Sequence, residues 1–447
     1  SSAGHAVTPS LSLTIHLFAS MSETRTSAPI RHCDVLIMGG GPAGSSAATL
    51  LAQRGWHTVV LEKDHHPRFH IGESLLPLSK PYIEQLGLAE ELDAIGLRKY
   101  AAEFHSVYHG KSTTFAFGDS LQRDYPYAYE VRRSEFDHLL IQNARKQGAD
   151  ILEGWRVDAV ELDGQQIRAV TAQSDDGARH TWQARFYIDA TGRDTLLANS
   201  LGTKARNPRH RSAALYAHFV GAERDVGAAE GNICIYWFDH GWFWMIPLKD
   251  GTMSVGAVCK PEYLKNRTVS VEQFLFDTIA QCPGVSKRLA QAQLSSPVTA
   301  TGNYSYQSTR MTGDNFLLAG DAFAFIDPVF SSGVHLALNS AFLAADAVDG
   351  SLRNPAQTRR HLAAFERQIR KGLKTFSWFI YRVTTPAVRD LFMNPENIFR
   401  VREGVTSVLA GDLFRGTPLR VPLTAFRLIY HVKSLLIRWG LVPAITR

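Results

Sequence analysis

The first part of the chain has the hydrophobic pattern of a strand–helix–strand unit. Residues 34–38 begin with Asp34 and continue as an apolar run, which is typical of a strand buried on both faces. Glycine-rich residues 39–44 follow, and residues 45–54 have helical character that ends at Gly55. A second apolar run covers residues 58–62. This order predicts an α/β fold that begins with a Rossmann-like βαβ unit.

The pattern then changes twice along the chain. Aromatic and β-branched residues dominate the middle and predict a mostly antiparallel sheet, whereas the last hundred residues are mostly helical in pattern. The predicted division has four parts. A poorly ordered leader or extension covers residues 1–30, and a Rossmann-like domain with interleaved strands of the second sheet covers residues 31–204 and 301–350. A β-sheet substrate domain covers residues 205–300, and a helical C-terminal region covers residues 351–447.

Composition excludes several classes of protein. Apolar residues are 45% and charged residues 20% of 447, which is ordinary globular usage and argues against disorder. The net charge of +6 is spread along the chain without a basic block, so we expect no nucleic-acid partner. No apolar run is long enough to span a bilayer. The four cysteines are far apart and form no C-x-x-C pair, which predicts no metal site and favours a cytoplasmic protein.

The glycine-rich turn carries a dinucleotide-binding fingerprint. Gly39, Gly41 and Gly44 fit G-x-G-x-x-G between a predicted strand and helix. The first glycine permits the turn, the second leaves room for a pyrophosphate, and the third lets helix and strand pack closely. Glu62 ends the next strand, 23 residues after Gly39, where an acid binds ribose hydroxyls.

Further motifs resemble the FAD-binding fold of aromatic hydroxylases. They are Asp189-Ala-Thr-Gly-Arg193 after a strand, Gly320-Asp321 after another, and the helix entry from Val131 to Asp137. The resemblance implies that FAD is the cofactor. It also implies that Pro42 and Ala43 of the fingerprint, Arg132 of the helix entry and Asp321 contact it.

Two rarer motifs resemble the signatures of flavin-dependent halogenases. Residues 242–247 fit W-x-W-x-I-P, and residues 325–333 fit F-x-x-P-x-x-S-x-G. The resemblance implies that Trp242, Trp244 and Pro328 lie near the flavin and that the tryptophans keep substrate away from it, although plain core packing also explains them. It further implies that the backbone N–H groups of Ser332 and Gly333 hold a halide ion, chloride or bromide, and that Gly333 and Val334 lie close to the flavin.

Lys99 is the predicted catalytic residue. Lys99-Tyr-Ala-Ala-Glu-Phe104 resembles K-x-G-A-x-F of halogenases that act on phenols and pyrroles, with Ala101 in place of glycine. The resemblance implies that Lys99 holds and aims hypohalous acid, either as a charged hydrogen-bond donor or as a neutral amine that forms a haloamine. Without the motif, we would interpret Lys99 as an exposed strand residue. Glu73 and Ser74 belong to a G-E-S-x-x-P segment that lies near the flavin in the family.

One departure from the family bears on the substrate. Tryptophan-acting members carry a glutamate where this chain has Phe330. This favours an electron-rich phenolic or pyrrolic substrate, free or bound to a carrier protein. The resemblance also implies a separate flavin reductase as partner. Three alternatives remain: an aromatic monooxygenase, an oxidoreductase of the geranylgeranyl-reductase type, and a non-catalytic FAD-binding protein.

Residues 422–439 form a basic amphipathic stretch. We expect a helix that docks on the fold with a solvated face. Contact with a membrane surface, or a cover over an apolar substrate, is the alternative that we do not favour.

Overall fold

The structure is a computed structural model that describes residues 29–208, 211–302 and 305–445. The predicted leader, residues 1–30, lies outside this part except for its last two residues. The strands are β1 Ile30–Met38, β2 Thr58–Glu62, β3 Leu97–Lys99, β4 Ala101–Ser106, β5 Lys111–Ala116, β6 Ala128–Glu130, β7 Asp150–Glu153, β8 Trp155–Asp163, β9 Gln166–Ser174, β10 Arg179–Asp189, β11 Lys204–Arg206, β12 Ala213–Val220, β13 Ile233–Phe238, β14 Gly241–Pro247, β15 Met253–Cys259, β16 Gln293–Leu294, β17 Thr299–Thr301, β18 Tyr306–Ser308, β19 Phe316–Leu318 and β20 Ala324–Phe325.

Helices cover the faces of the sheets and build the C-terminal region. They are α1 Pro42–Gln53, α2 Lys80–Gln85, α3 Ala89–Ile95, α4 Arg133–Lys146, α5 Leu196–Ser200, α6 Pro261–Lys265, α7 Val271–Ala280, α8 Pro283–Arg288, α9 Ser332–Arg353, α10 Thr358–Ile380, α11 Pro386–Met393, α12 Val401–Leu409 and α13 Arg420–Arg438. None of the helices in the described residues combines the length and the apolar character needed to cross a bilayer.

The first sheet is the predicted Rossmann-like sheet. Its strand order is β7-β2-β1-β10-β9-β8, with β19 beside β10, and β1 runs parallel to both β2 and β10. The side chains of residues 35–38 are fully buried, with α1 packed on β1 and α9 packed on the neighbouring β10. Parallel strands that are buried on both faces explain the uninterrupted apolar runs of the sequence.

The second sheet is built from segments far apart in the chain. Its order is β16-β12-β15-β14-β13-β4-β5, with β17 beside β12. Neighbours are antiparallel as predicted, except that β4 runs parallel to β13. One face packs into the main core through Phe104 and Trp237, and the other packs against Leu275 of α7 and Val285 of α8. The mixed α/β class is confirmed, while the exact domain boundaries stay a prediction.

The C-terminal helix α13 docks through one face, where Pro422, Leu423 and Phe426 are buried. Its opposite side is solvated, as expected, but carries an apolar stripe. Side chains there are apolar and 44–67% exposed: Val421, Leu428, Val432, Leu435 and Trp439. Spacings of 7, 4, 3 and 4 residues put them on one narrow stripe of the helix.

Candidate active site

A cavity of about 460 Å³ lies where the two sheets meet. The glycine-rich turn after β1, the loop after β2 and the N-terminus of α9 line one side, and β12 and β14 line the other. Ligands of open α/β sheets bind outside the carboxyl ends of the strands, and this cavity occupies that position. Most predicted site residues reach it.

The glycine-rich turn has the geometry that the fingerprint requires. Gly39 has φ +102°, and a Cβ on Gly44 would stand 1.9 Å from the carbonyl oxygen of Gly39. Helix α1 therefore packs too closely on the strand for any side chain there. Gly41 differs, because a Cβ there would meet only the Arg68 guanidinium, at 3.8 Å, and would project into the cavity. Pro42 and Ala43, which begin α1, also line the cavity.

Glu62 is held in place by backbone N–H groups. The N–H of Gly40 donates to its Oε2 at 2.6 Å, and the N–H of Asp64 donates to its Oε1 at 2.8 Å. The carboxylate lines the cavity at the end of β2. Its orientation at this end of the βαβ unit suits an acceptor for ribose hydroxyls.

Asp321 follows β19 and lines the same cavity. Burial raises its pKa from 3.8 to about 6, and the positive charges of Arg133 and Arg193 oppose that rise. A carboxylate oxygen aimed into the cavity suits a hydrogen bond with a polyhydroxyl chain.

The N-terminus of α9 opens on the cavity. Pro328, Ser332, Gly333 and Val334 all line it, and a Cβ on Gly333 would meet no atom within 4 Å. The first N–H groups of a helix have no partner within it, and the helix dipole favours negative charge beside them. With 22 residues, α9 presents a full macrodipole to this point.

Trp242 and Trp244 line the wall of the second sheet. They are two residues apart on β14, so both point to the same face, and their ring centroids are 6.0 Å apart. A Cβ on Gly256, the strand partner of Trp244, would lie 2.2 Å from the indole ring. The glycine on β15 is therefore what lets the Trp244 ring lie flat on the sheet.

The loop before Ser74 adds a further carboxylate to the cavity wall, beside those of Glu62 and Asp321. Glu73 is buried, and His218 Nε2 of β12 lies 2.8 Å from its Oε2. This contact links the loop to the second sheet. Sequence analysis missed His218, since no motif marks it.

Lys99 is buried, with 1% of its surface exposed, and does not itself line the cavity. Its Nζ donates to Ser74 Oγ at 2.8 Å and to the carbonyl oxygen of Leu75 at 3.1 Å. Ser74 lines the cavity, so the lysine amine stands directly behind the wall. Burial lowers the pKa of Lys99, and the negative charge of Glu130 partly opposes this. The exposed strand lysine that we weighed as an alternative is therefore wrong.

The site fits FAD, as three observations show. The cavity reaches a turn where a Cβ at Gly41 would fill the space, the N-terminus of a helix points into it, and an oriented acid stands at the next strand. These are the parts that hold a dinucleotide pyrophosphate and ribose.

Comparison with known proteins gives the family. Residues 32–371 match the family model described as FAD binding domain. The chain is 38% identical over 319 residues to tryptophan 2-halogenase of Chondromyces crocatus, which covers 70% of this chain and 60% of that protein. It is 29% identical over 412 residues to 1H-pyrrole-2-carbonyl-(peptidyl-carrier protein) chlorinase of Pseudomonas fluorescens, which covers 87% and 91%. The solved myxobacterial chondrochloren halogenase CndH superposes with a TM-score of 0.75, 29% identity and coverage of 91% and 97%.

The chain belongs to the flavin-dependent halogenases. FAD and the α/β class, both expected from the motifs, are confirmed by the family model and these relatives. The roles of individual residues in this halogenase stay predictions.

One predicted contact of this halogenase needs correction. Arg132 points away from the cavity, where its Nε donates to Asp250 at 2.5 Å and its Nη2 donates to Thr252 at 2.7 Å. Arg133, the next residue, lines the cavity and binds Asp137 with two nitrogens at 2.7 and 2.9 Å. Arg132 is the N-cap residue and Arg133 begins α4, so the two side chains leave the backbone in different directions.

A second arginine escaped sequence analysis. Arg68 lines the cavity, and its Nη2 is the nearest group to the missing Cβ of Gly41. Its Nη1 also donates to Asp137 at 3.2 Å. A guanidinium beside the glycine turn suits a pyrophosphate, and no motif of the sequence marks this residue.

We predicted no metal site from the cysteine spacing. Glu103, His105 and Cys234 nevertheless meet on the two parallel strands β4 and β13, with ligand-type atoms all within 4.8 Å of one another. Burial raises the pKa of the Cys234 thiol to about 12, which opposes formation of the thiolate that a metal binds. We assign no metal to this group.

Proposed function

We propose that this protein halogenates electron-rich aromatic rings with reduced FAD, oxygen and chloride or bromide. One observation carries the proposal: a fully buried lysine stands behind the wall of a cavity that has the parts for FAD. A lysine is rarely buried without a specific reason, and this one contacts Ser74 of the wall.

The residues divide between holding the cofactor and holding the halide. When bound, reduced FAD supplies the oxidation of halide by oxygen to hypohalous acid. We assign its pyrophosphate and sugars to the glycine turn with Pro42 and Ala43, to Glu62 and to Asp321. We assign Gly333 and Val334 to positions beside its flavin ring. The halide is assigned to the N–H groups of Ser332 and Gly333, because a helix N-terminus stabilises an anion.

Trp242 and Trp244 keep the aromatic substrate away from the flavin. Their side chains are buried, at 3% and 6% exposed, and fill the sheet side of the cavity. Lys99, on the far side of Ser74, receives the hypohalous acid and presents its halogen to the substrate ring. Separation of the two steps prevents direct oxygenation of the substrate.

The substrate class follows from Phe330. This side chain is 3% exposed and stacks on Phe392 at 6.4 Å between centroids, so no carboxylate occupies the position where tryptophan-acting members carry one. We propose a phenolic or pyrrolic substrate. The name of one relative specifies tryptophan and that of another a carrier-bound pyrrole, so free and carrier-bound substrates are both to be tested. We further propose a separate flavin reductase and a cytoplasmic location.

The test is mass spectrometry of a reaction that contains a flavin reductase, NADH, bromide and a panel of phenols, pyrroles and tryptophan, free and carrier-bound. We expect products with the isotope pattern of bromine from phenols or pyrroles, and little from free tryptophan. Efficient bromination of free tryptophan would contradict the substrate class. Hydroxylated product without bromine, with NAD(P)H oxidised by this protein alone, would favour the monooxygenase alternative.

A further inference from the structure

A second titratable side chain is buried beside Lys99. Glu130 is on β6, which pairs with β3 so that Glu130 stands opposite Leu97 and Ala128 opposite Lys99. Side chains two residues apart on a strand share a face, so Glu130 and Lys99 are diagonal neighbours on the same side of this two-stranded sheet. Glu130 is fully buried. An antiparallel bridge also places its backbone beside Ser74, the residue that separates Lys99 from the cavity.

The hydrogen bonds around the lysine match an uncharged amine. Its Nζ has two acceptors in the structure, Ser74 Oγ and the carbonyl oxygen of Leu75. A neutral amine has two N–H groups and a lone pair, whereas an ammonium group would leave a third buried donor without a partner. Two donors satisfied by two acceptors leave the lone pair of Lys99 free.

The surroundings of Glu130 match an uncharged acid. Neither of its carboxyl oxygens has a hydrogen-bond partner, and a buried carboxylate without donors is very unfavourable. Burial raises the pKa of Glu130 to about 8; the charge of Lys99 and the nearby Ser74 hydroxyl lower it, and the charge of Glu73 raises it. The ring of Phe117 lies 5.4 Å from Lys99 Nζ, and the nearby Glu73 is bound in turn by His218.

We propose that Glu130 is a further catalytic residue, the general acid that protonates the oxygen of hypohalous acid while Lys99 takes the halogen. This rests on the proposed function, because halogenation supplies the hypohalous acid. The Lys99 lone pair forms the nitrogen–halogen bond, the oxygen–halogen bond breaks, and the departing oxygen takes the Glu130 proton to become water. The Glu130 carboxylate then removes a proton from the nitrogen. One amine and one hypohalous acid thus give one haloamine and one water, and Glu130 regains its proton.

The first readout requires no turnover. We would record the infrared difference spectrum between the wild-type holoenzyme and Glu130→Gln, across a pH series, with oxidised FAD in both. We expect the C=O band of a protonated carboxyl group in the wild type at pH 7, absent from Glu130→Gln and lost with a midpoint near pH 8. Glu135→Gln, on the exposed first turn of α4, is the matched control and keeps the band. A wild type without the band would overturn the proposal.

The second readout is product formation. We expect Glu130→Gln to lower the rate of halogenation about a hundredfold while FAD binding and the reoxidation of reduced flavin stay intact. Glu130→Asp, which retains an acid, should recover part of the rate, and the fall in wild-type rate above about pH 8 should be missing from Glu130→Gln. A Glu130→Gln rate within about threefold of the wild type would overturn the proposal. If the wild type makes no halogenated product, the proposed function fails, and the infrared band still decides whether Glu130 is a protonated acid.

Discussion

The nucleotide end of the cavity and the amine end, which lies behind the cavity wall at Ser74, differ in how their charged groups are satisfied. At the nucleotide end, formed by residues 39–44 with Glu62, Arg68 and Arg133, the carboxylates of Glu62 and Asp137 both have donors: two N–H groups for Glu62, and two guanidinium groups for Asp137. At the amine end, formed by Ser74, Lys99 and Glu130, the amine has two acceptors and the acid has no partner. Satisfied charges are fixed in one state, whereas a buried neutral amine and a buried acid without strong donors can exchange protons. Nucleotide binding and the proposed chemistry thus lie on opposite sides of the cavity wall at Ser74.

The largest expected effect is the loss of FAD when the glycine turn of the nucleotide end is disrupted. Replacement of Gly44 by valine puts a Cβ 1.9 Å from the Gly39 carbonyl oxygen, so the turn must open. We expect complete loss of FAD, measured by flavin absorbance after gel filtration. Gly302→Ala is the control, since a Cβ there meets no atom within 4 Å. Retention of full flavin affinity by Gly44→Val would show that FAD is not held by this turn.

Removal of the Lys99 amine should stop halogenation and leave the nucleotide end unaffected. We expect Lys99→Ala to lower product at least about a hundredfold, with FAD binding and flavin reoxidation close to the wild type. Lys99→Arg should fail too, because guanidinium is always charged and larger. Lys99→Met fills most of the space without an amine, so substantial product from it would contradict the lysine relay. The measurement is product yield beside the rate of flavin reoxidation.

Arg133 and Arg132 allow a buried ion pair to be compared with a partly exposed one by its contribution to stability. Arg133→Ala leaves the buried Asp137 with only Arg68 and should lower the free energy of unfolding by about 3–5 kcal/mol. Arg132→Ala breaks a partly exposed ion pair with Asp250 and should cost about 1 kcal/mol or less. Thermal unfolding of the two variants measures the difference. Equal losses in the free energy of unfolding would contradict the assignment of Arg133 to a buried ion pair and Arg132 to a partly exposed one.

Among the changes that affect FAD binding, the smallest effect is expected at Glu62. Glu62→Ala removes the ribose acceptor, worth roughly 1.5–3 kcal/mol for one charge-assisted hydrogen bond, and should weaken FAD about tenfold to a hundredfold. The variant also frees the N–H groups of Gly40 and Asp64. Isothermal titration with FAD gives the affinity. Glu62→Gln keeps one acceptor oxygen and should fall between Glu62→Ala and the wild type.

The two ends also differ in what their sequence reveals. Gly39, Gly41, Gly44 and Glu62 lie within 24 residues on one βαβ unit, so local spacing determines their geometry. Glu130 and His218 were missed because they meet Lys99 and Glu73 only through tertiary pairing. Arg132 and Arg133 could not be told apart in the sequence, since their directions depend on the residue at which α4 begins.

The parallel pairing of β4 with β13 has a consequence for synthesis. Phe104 of β4 lies beside Ile235 of β13, 131 residues later in the chain. Strand β4 therefore leaves the ribosome long before its parallel neighbour β13. At ordinary elongation rates of about 5–20 residues per second, the delay is roughly 7–26 s. The apolar face of the β4–β5 hairpin must remain uncovered, or be held by a chaperone, for that time. Slower decoding between the two strands would prolong the exposure, and the yield of folded protein should therefore depend on codon choice over residues 117–232.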